Sequence, residues 1–103
     1  MLDTNIPIDV KPIEWEIIQN ILSEIIPDRS VWAFGSRVNG NKKEFSDLDL
    51  VVLGETSMTH EQEADLQNAF VRSDLPFKVD LVNWSRTSDP FKSMISQSYV
   101  IVR

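Results

Sequence analysis

The stretch FGSRVNGNKKEFSDLDLVVLG, residues 34–54, places Asp47 and Asp49 one residue apart at the entrance to an apolar run. Alternate residues of a strand point to the same side, so the two carboxylates share a face, with α-carbons roughly 6.6 Å apart. Leu48 and Leu50 take the other face. Carboxylates held this close resist ionisation unless a cation sits between them, which makes the pair sensible as a seat for divalent metal. Asp80 interrupts the apolar run KVDLV and offers a third carboxylate if its strand pairs beside the first. Three oxygen donors with no histidine or cysteine cluster suit magnesium or manganese better than zinc. Upstream, Gly35 permits close backbone approach and the Ser36 hydroxyl can bond a phosphate oxygen. Arg37, beside them, is placed either to neutralise phosphate charge or to pair with a surface carboxylate. The GxxxxGK[ST] of a P-loop is absent. The constellation fits a nucleoside triphosphate held for in-line attack by an acceptor hydroxyl, that is, nucleotidyl or phosphoryl transfer.

Such a site needs strands to carry the acids and helices to back them. Pro12 followed by IEWEIIQNILSEII repeats apolar residues at Ile13, Ile17, Ile18, Ile21, Leu22 and Ile25, which predicts a helix stopped by Pro27. SVWAFG, DLDLVVL and FKVDLVNW predict three strands. Between the last two, Thr59 with Gln62 forms a capping box opening a second helix over HEQEADLQNAFVRS. Asp89 before Pro90 predicts the N-cap of a short helix near Phe91 to Gln97, followed by an apolar tail, YVIV. The economical architecture is α/β: a small mixed sheet flanked by helices, in one domain over residues 1–103.

Composition narrows the functional classes. The chain has 103 residues, 42% of them hydrophobic and nine of them aromatic, enough for a core. It has no cysteine, which excludes disulfides and Cys-ligated zinc and fits a reducing cytoplasm. A formal net charge of −6 argues against direct binding of nucleic acid, and favours a basic partner surface. No apolar run approaches a membrane span, and MLDTNIPIDV lacks the layout of a signal peptide.

The segment GSRVNGNKKEFSDLDLVV resembles the nucleotidyltransferase signature of the DNA-polymerase-β-like superfamily, a glycine and serine followed by Asp-x-Asp. Its FGSR entry and the later LPFKVDLVNW are similar to the minimal nucleotidyltransferases found as antitoxins beside HEPN-domain toxins. The resemblance implies the polymerase-β-like fold, with Gly35 and Ser36 on the triphosphate and Asp47 and Asp49 holding a pair of magnesium ions. It implies that Asp80 completes the triad and assists the attacking hydroxyl. It further implies that AMP passes from ATP to a tyrosine of a HEPN-type RNase toxin, which is thereby silenced in a hetero-oligomeric complex.

Plainer readings stand beside these. Aspartate pairs at strand ends are common without chemistry, and Asp80 could be a strand-edge carboxylate facing water. Lys42 and Lys43 read as a solvated loop that could also reach a triphosphate or a partner. Trp84 fits the core better than a stacking role, as do Trp15, Trp32 and Phe34; His60 is expected at the surface without chemistry. Two other functions remain open. One is a non-catalytic antitoxin that masks its toxin by contact. The other is a small-molecule transferase of the aminoglycoside-modifying kind, although little chain follows Trp84 to form an acceptor region.

Overall fold

The computed structural model describes residues 6–40 and 46–103, so Lys42 and Lys43 lie outside the described residues. The elements run α1 (Pro12–Ile25), β1 (Val31–Phe34), α2 (Ser36–Asn39), β2 (Leu48–Val52), α3 (His60–Arg72), β3 (Val79–Asn83), a 3₁₀ turn (Trp84–Arg86), α4 (Asp89–Gln97) and β4 (Tyr99–Ile101). The sheet order is β3-β2-β1-β4, with β1 antiparallel to both β2 and β4 and with β2 parallel to β3. A parallel pair needs a crossover, and α3 supplies it. The mixed sheet inferred from the sequence is therefore present.

Alternation within the strands separates two apolar layers. Leu48, Leu50 and Val52 of β2, with Val31 and Ala33 of β1, meet Ile18 and Leu22 of α1 and Leu66 and Phe70 of α3. The opposite face carries Phe34, Val51 and Ile95, with Trp32, Val82, Trp84 and Phe91 against them. α4 covers this second face, and Asp49 and Asp80 belong to it by the same alternation.

The helix ends follow the sequence signals with two corrections. α3 opens as expected: Gln62 N donates to Thr59 Oγ1 at 3.0 Å and Thr59 N donates to Gln62 Oε1 at 3.1 Å. α4 is capped by Ser88, not by Asp89, which is the first helical residue; Phe91 N donates to Ser88 Oγ at 3.3 Å. In α1 the apolar stripe begins later than the periodicity implies. Ile13 is 61% exposed and Glu14 is 8% exposed, because Glu14 Oε1 turns back to accept from Lys11 N at 2.8 Å. The apolar tail is also no loose end. Its Tyr99–Ile101 segment is an edge strand on β1, with Tyr99 stacked on Trp32 at 4.0 Å between ring centroids.

Two polar ties fix the crossover. Asn83, buried at the end of β3, accepts from Met58 N at 3.0 Å through Oδ1 and donates to Glu63 Oε2 at 3.2 Å. The amide thus joins the end of β3 to the first turn of α3 and leaves no buried polar atom of its own unmatched.

Candidate active site

The parallel pairing of β2 and β3 sets Asp49 directly beside Asp80. Neighbouring strands lie about 4.8 Å apart, so the two side chains emerge together. Asp47 stands one residue before β2 and is exposed, while Asp49 and Asp80 are part-buried. Asp49 bears the electrostatic consequence. Burial first, then the charges of Asp80 and Asp47, raise its pKa from 3.8 to about 6. A cation in this corner would relieve all three causes at once.

Across the antiparallel ladder, Asp49 faces Phe34, the last residue of β1. Gly35 and Ser36 follow immediately, so the turn into α2 begins at the shoulder of the carboxylate. Gly35 has φ 86° and ψ −157°, a conformation essentially confined to glycine. A Cβ on Gly35 would overlap the Asp49 carboxylate. The glycine is therefore required twice, by its backbone and by its neighbour. Ser36 opens α2, with Val38 N and Asn39 N closing the turn onto Gly35 O at 3.0 and 3.1 Å.

Arg37 is held inside the fold. The sequence offered a phosphate or a surface carboxylate as its partner; its described protein contacts are two backbone carbonyls and an aromatic ring. Arg37 is only 4% exposed, with its guanidinium carbon 3.9 Å from the centre of the Phe77 ring. Nε donates to Ser46 O at 2.9 Å and Nη1 donates to Asp9 O at 2.8 Å. Its place in the site is indirect, because Ser46 is the residue that leads into Asp47. Arg37→Met is expected to lower stability by about 2–4 kcal/mol, through two lost charge-assisted hydrogen bonds and two carbonyls deprived of a donor. Urea melts would check this; unchanged stability with weakened nucleotide binding would return Arg37 to the phosphate.

Trp84 and Trp32 are half-buried, not fully in the core, and meet edge to face at 5.6 Å on the α4 side. Sequence reasoning missed Lys78, whose Nζ lies 3.4 Å from Asp80 Oδ1. Its place two residues before Asp80, just ahead of β3, was the available signal.

The donor set is all oxygen, which fits magnesium or manganese. Asp47, Asp49 and Asp80 would hold the ion or ions. Among the described residues no three acidic side chains converge on one point as they stand, and Asp80 Oδ1 lies 3.4 Å from Lys78 Nζ. The register of β2 and β3 already sets the backbones of Asp49 and Asp80 side by side.

Comparison with known proteins agrees with this geometry. Residues 16–103 match the family described as "Polymerase beta, Nucleotidyltransferase". The chain is 43% identical over 96 residues, 93% of its length and 84% of the relative's, to a Haemophilus influenzae (strain KW20 / Rd) protein described as "Probable protein adenylyltransferase MntA". Its fold is shared by a toxin–antitoxin solved with AMP-PNP, at TM-score 0.72 and 23% identity over 86% of this chain and 72% of that one. It is also shared by a chain in the solved complex of a tri-AMPylated Shewanella oneidensis HEPN toxin with MNT antitoxin, at TM-score 0.64 and 21% identity over 88% and 70% of the respective chains. With the Gly-Ser turn, the Asp-x-Asp pair and a third aspartate in register on the neighbouring strand, the chain belongs to the polymerase beta nucleotidyltransferase family.

Proposed function

We propose that this chain is an antitoxin that transfers AMP from ATP to a hydroxyl, most simply a tyrosine, of a HEPN-type toxin. The observation that carries the reading is the side-by-side placement of Asp49 and Asp80, with Asp47 on their approach and the Gly35 turn against them. The names of its relatives support it, since one is described as "Probable protein adenylyltransferase MntA" and a structure of shared fold is the complex of an AMPylated HEPN toxin with MNT antitoxin.

In this reading Gly35 and Ser36 receive the triphosphate, the glycine by letting it approach the backbone and the serine through its hydroxyl. Asp47, Asp49 and Asp80 would hold a pair of magnesium ions, which when bound supply neutralising charge for the triphosphate and acidify a nearby hydroxyl. The acceptor oxygen forms a bond to the α-phosphorus, the bond from that phosphorus to the pyrophosphate oxygen breaks, and Asp80 draws off the hydroxyl proton. Pyrophosphate leaves. The part-buried setting of Asp49 strengthens each of these interactions relative to water. The net charge of −6 would speed encounter with a basic RNase groove. A cytoplasmic location accords with this role, and no helix among the described residues is long and apolar enough to cross a membrane.

The test is incubation of the chain and its co-encoded partner with magnesium and ATP, read by intact-protein mass. The expected result is a partner heavier by one or more AMP units, and no gain with Asp47→Asn. An unmodified partner that is nevertheless bound and inhibited would refute transfer and leave masking by contact.

A further inference from the structure

Lys78 is the charge that the transfer chemistry above leaves unused. Its ammonium stands 3.4 Å from Asp80 Oδ1, with the two side chains 69% and 41% exposed. Its carbonyl accepts from Leu48 N at 2.8 Å, which fixes Lys78 beside the segment carrying Asp47. Asp49 and Asp80 are register partners, and Asp47 and Lys78 stand two residues before them on the two segments that the Leu48–Lys78 hydrogen bond joins. Three are anions and one is a cation. Arg37 and Arg86 take no part in this group, since Arg37 donates to backbone carbonyls and Arg86 pairs with Glu63.

An ion pair this exposed contributes little to folding. Its influence falls on what can bind. A bare divalent ion approaching Asp80 must displace the ammonium or lie beside it against like charge. A metal arriving on a triphosphate brings phosphate oxygens, to which a flexible lysine can transfer its hydrogen bonds.

We propose that Lys78 is a positioning residue that withholds Asp80 from bare divalent ions and releases it to metal carried by a nucleotide. The inference rests on the reading of the three aspartates as a metal and triphosphate site. It makes the chain selective for the loaded nucleotide over the free ion.

The test compares Mn²⁺ alone with Mn²⁺ plus α,β-methylene ATP, titrated calorimetrically into wild type, Lys78→Gln and Lys78→Arg. Lys78→Gln is expected to bind bare Mn²⁺ about three- to tenfold tighter, the change set by removing one charge next to the site. It should bind the metal–nucleotide no tighter, while Lys78→Arg keeps the wild-type ratio of the two affinities. A ratio unchanged in Lys78→Gln overturns the proposal and leaves Lys78 a surface residue. Equal weakening of both ligands also overturns it, as the mark of a merely structural role. A wild type that binds neither Mn²⁺ nor its nucleotide complex removes the metal reading itself, and that failure is distinct because it precedes any comparison of variants. Thermal melts in chelator establish that each variant is folded.

Discussion

Asp49→Asn is expected to melt higher than wild type at neutral pH in the absence of divalent ions, and to transfer no nucleotide. The first half follows from the pKa of Asp49, raised to about 6 by burial and by the charges of Asp80 and Asp47. Because the folded state holds this proton more tightly than the unfolded chain does, the carboxyl adds no cost below about pH 4. Between about pH 4 and 6 the unfolded chain ionises while the folded state keeps the proton, so stability falls across this window and the full cost stands above about pH 6. The full shift corresponds to about 3 kcal/mol, which solvent screening of this half-open site reduces to roughly 1–2 kcal/mol. Asparagine removes the burden. The variant should therefore match wild type near pH 4 and exceed it by roughly 5–15 °C in melting temperature above pH 6.5. The second half follows from the loss of a ligand: outer-shell partners of metal sites are already worth about 10–100-fold, and Asp49 is at the centre. Transfer should fall by more than about a hundredfold, measured with α-labelled ATP. A variant no more stable than wild type at any pH would contradict the electrostatic account. One that transferred normally would contradict the assignment of the site.

The placing of Asp47, Asp49 and Asp80 on or just before strands was legible in the sequence because hydrophobic periodicity marks the elements and shows which side chains share a face. The strands carrying them and the helices flanking them were legible for the same reason, and Thr59 with Gln62 marked the start of α3. What could not be read was anything that depended on a distant partner. Nothing in the sequence around Arg37 shows that the fold brings Asp9, Ser46 and Phe77 around its guanidinium. Ile13 matches the helical stripe, yet it sits in the first turn of α1 and projects into solvent, while the neighbouring Glu14 is drawn in by the orphan amide of Lys11. The single-turn α2 lacks any periodicity to detect. β4 is three residues long and gains its identity only from pairing with β1. Local rules thus located the acids, and the packing between remote segments decided which neighbouring charges serve them.

The two glycines that flank α2 provide a sharper test of the site than the aspartates, because their backbones differ little in φ and their surroundings differ completely. Gly35 has φ 86° and Gly40 has φ 83°. At Gly40, where ψ is 5°, the left-handed region tolerates asparagine, and nothing among the described residues lies within 4 Å of an added Cβ. Gly40→Asn is expected to cost about 1 kcal/mol or less and to leave transfer intact. At Gly35, where ψ is −157°, any side chain incurs about 1–3 kcal/mol of backbone strain. The added methyl must also push the Asp49 carboxylate off its seat. A displacement of about 1 Å in a positioned group can reduce rate a hundredfold, so Gly35→Ala should lose at least about that factor in kcat/KM. Its pH profile identifies the cause. If the carboxylate is pushed outward into water, its pKa relaxes toward the ordinary value, and the loss of stability expected of wild type between about pH 4 and 6.5 flattens in Gly35→Ala. Inactivity with an unchanged profile would mean that the turn itself had moved away from the triphosphate, leaving Asp49 where it was. Full activity in Gly35→Ala would show that the close approach of turn and carboxylate has no part in the chemistry.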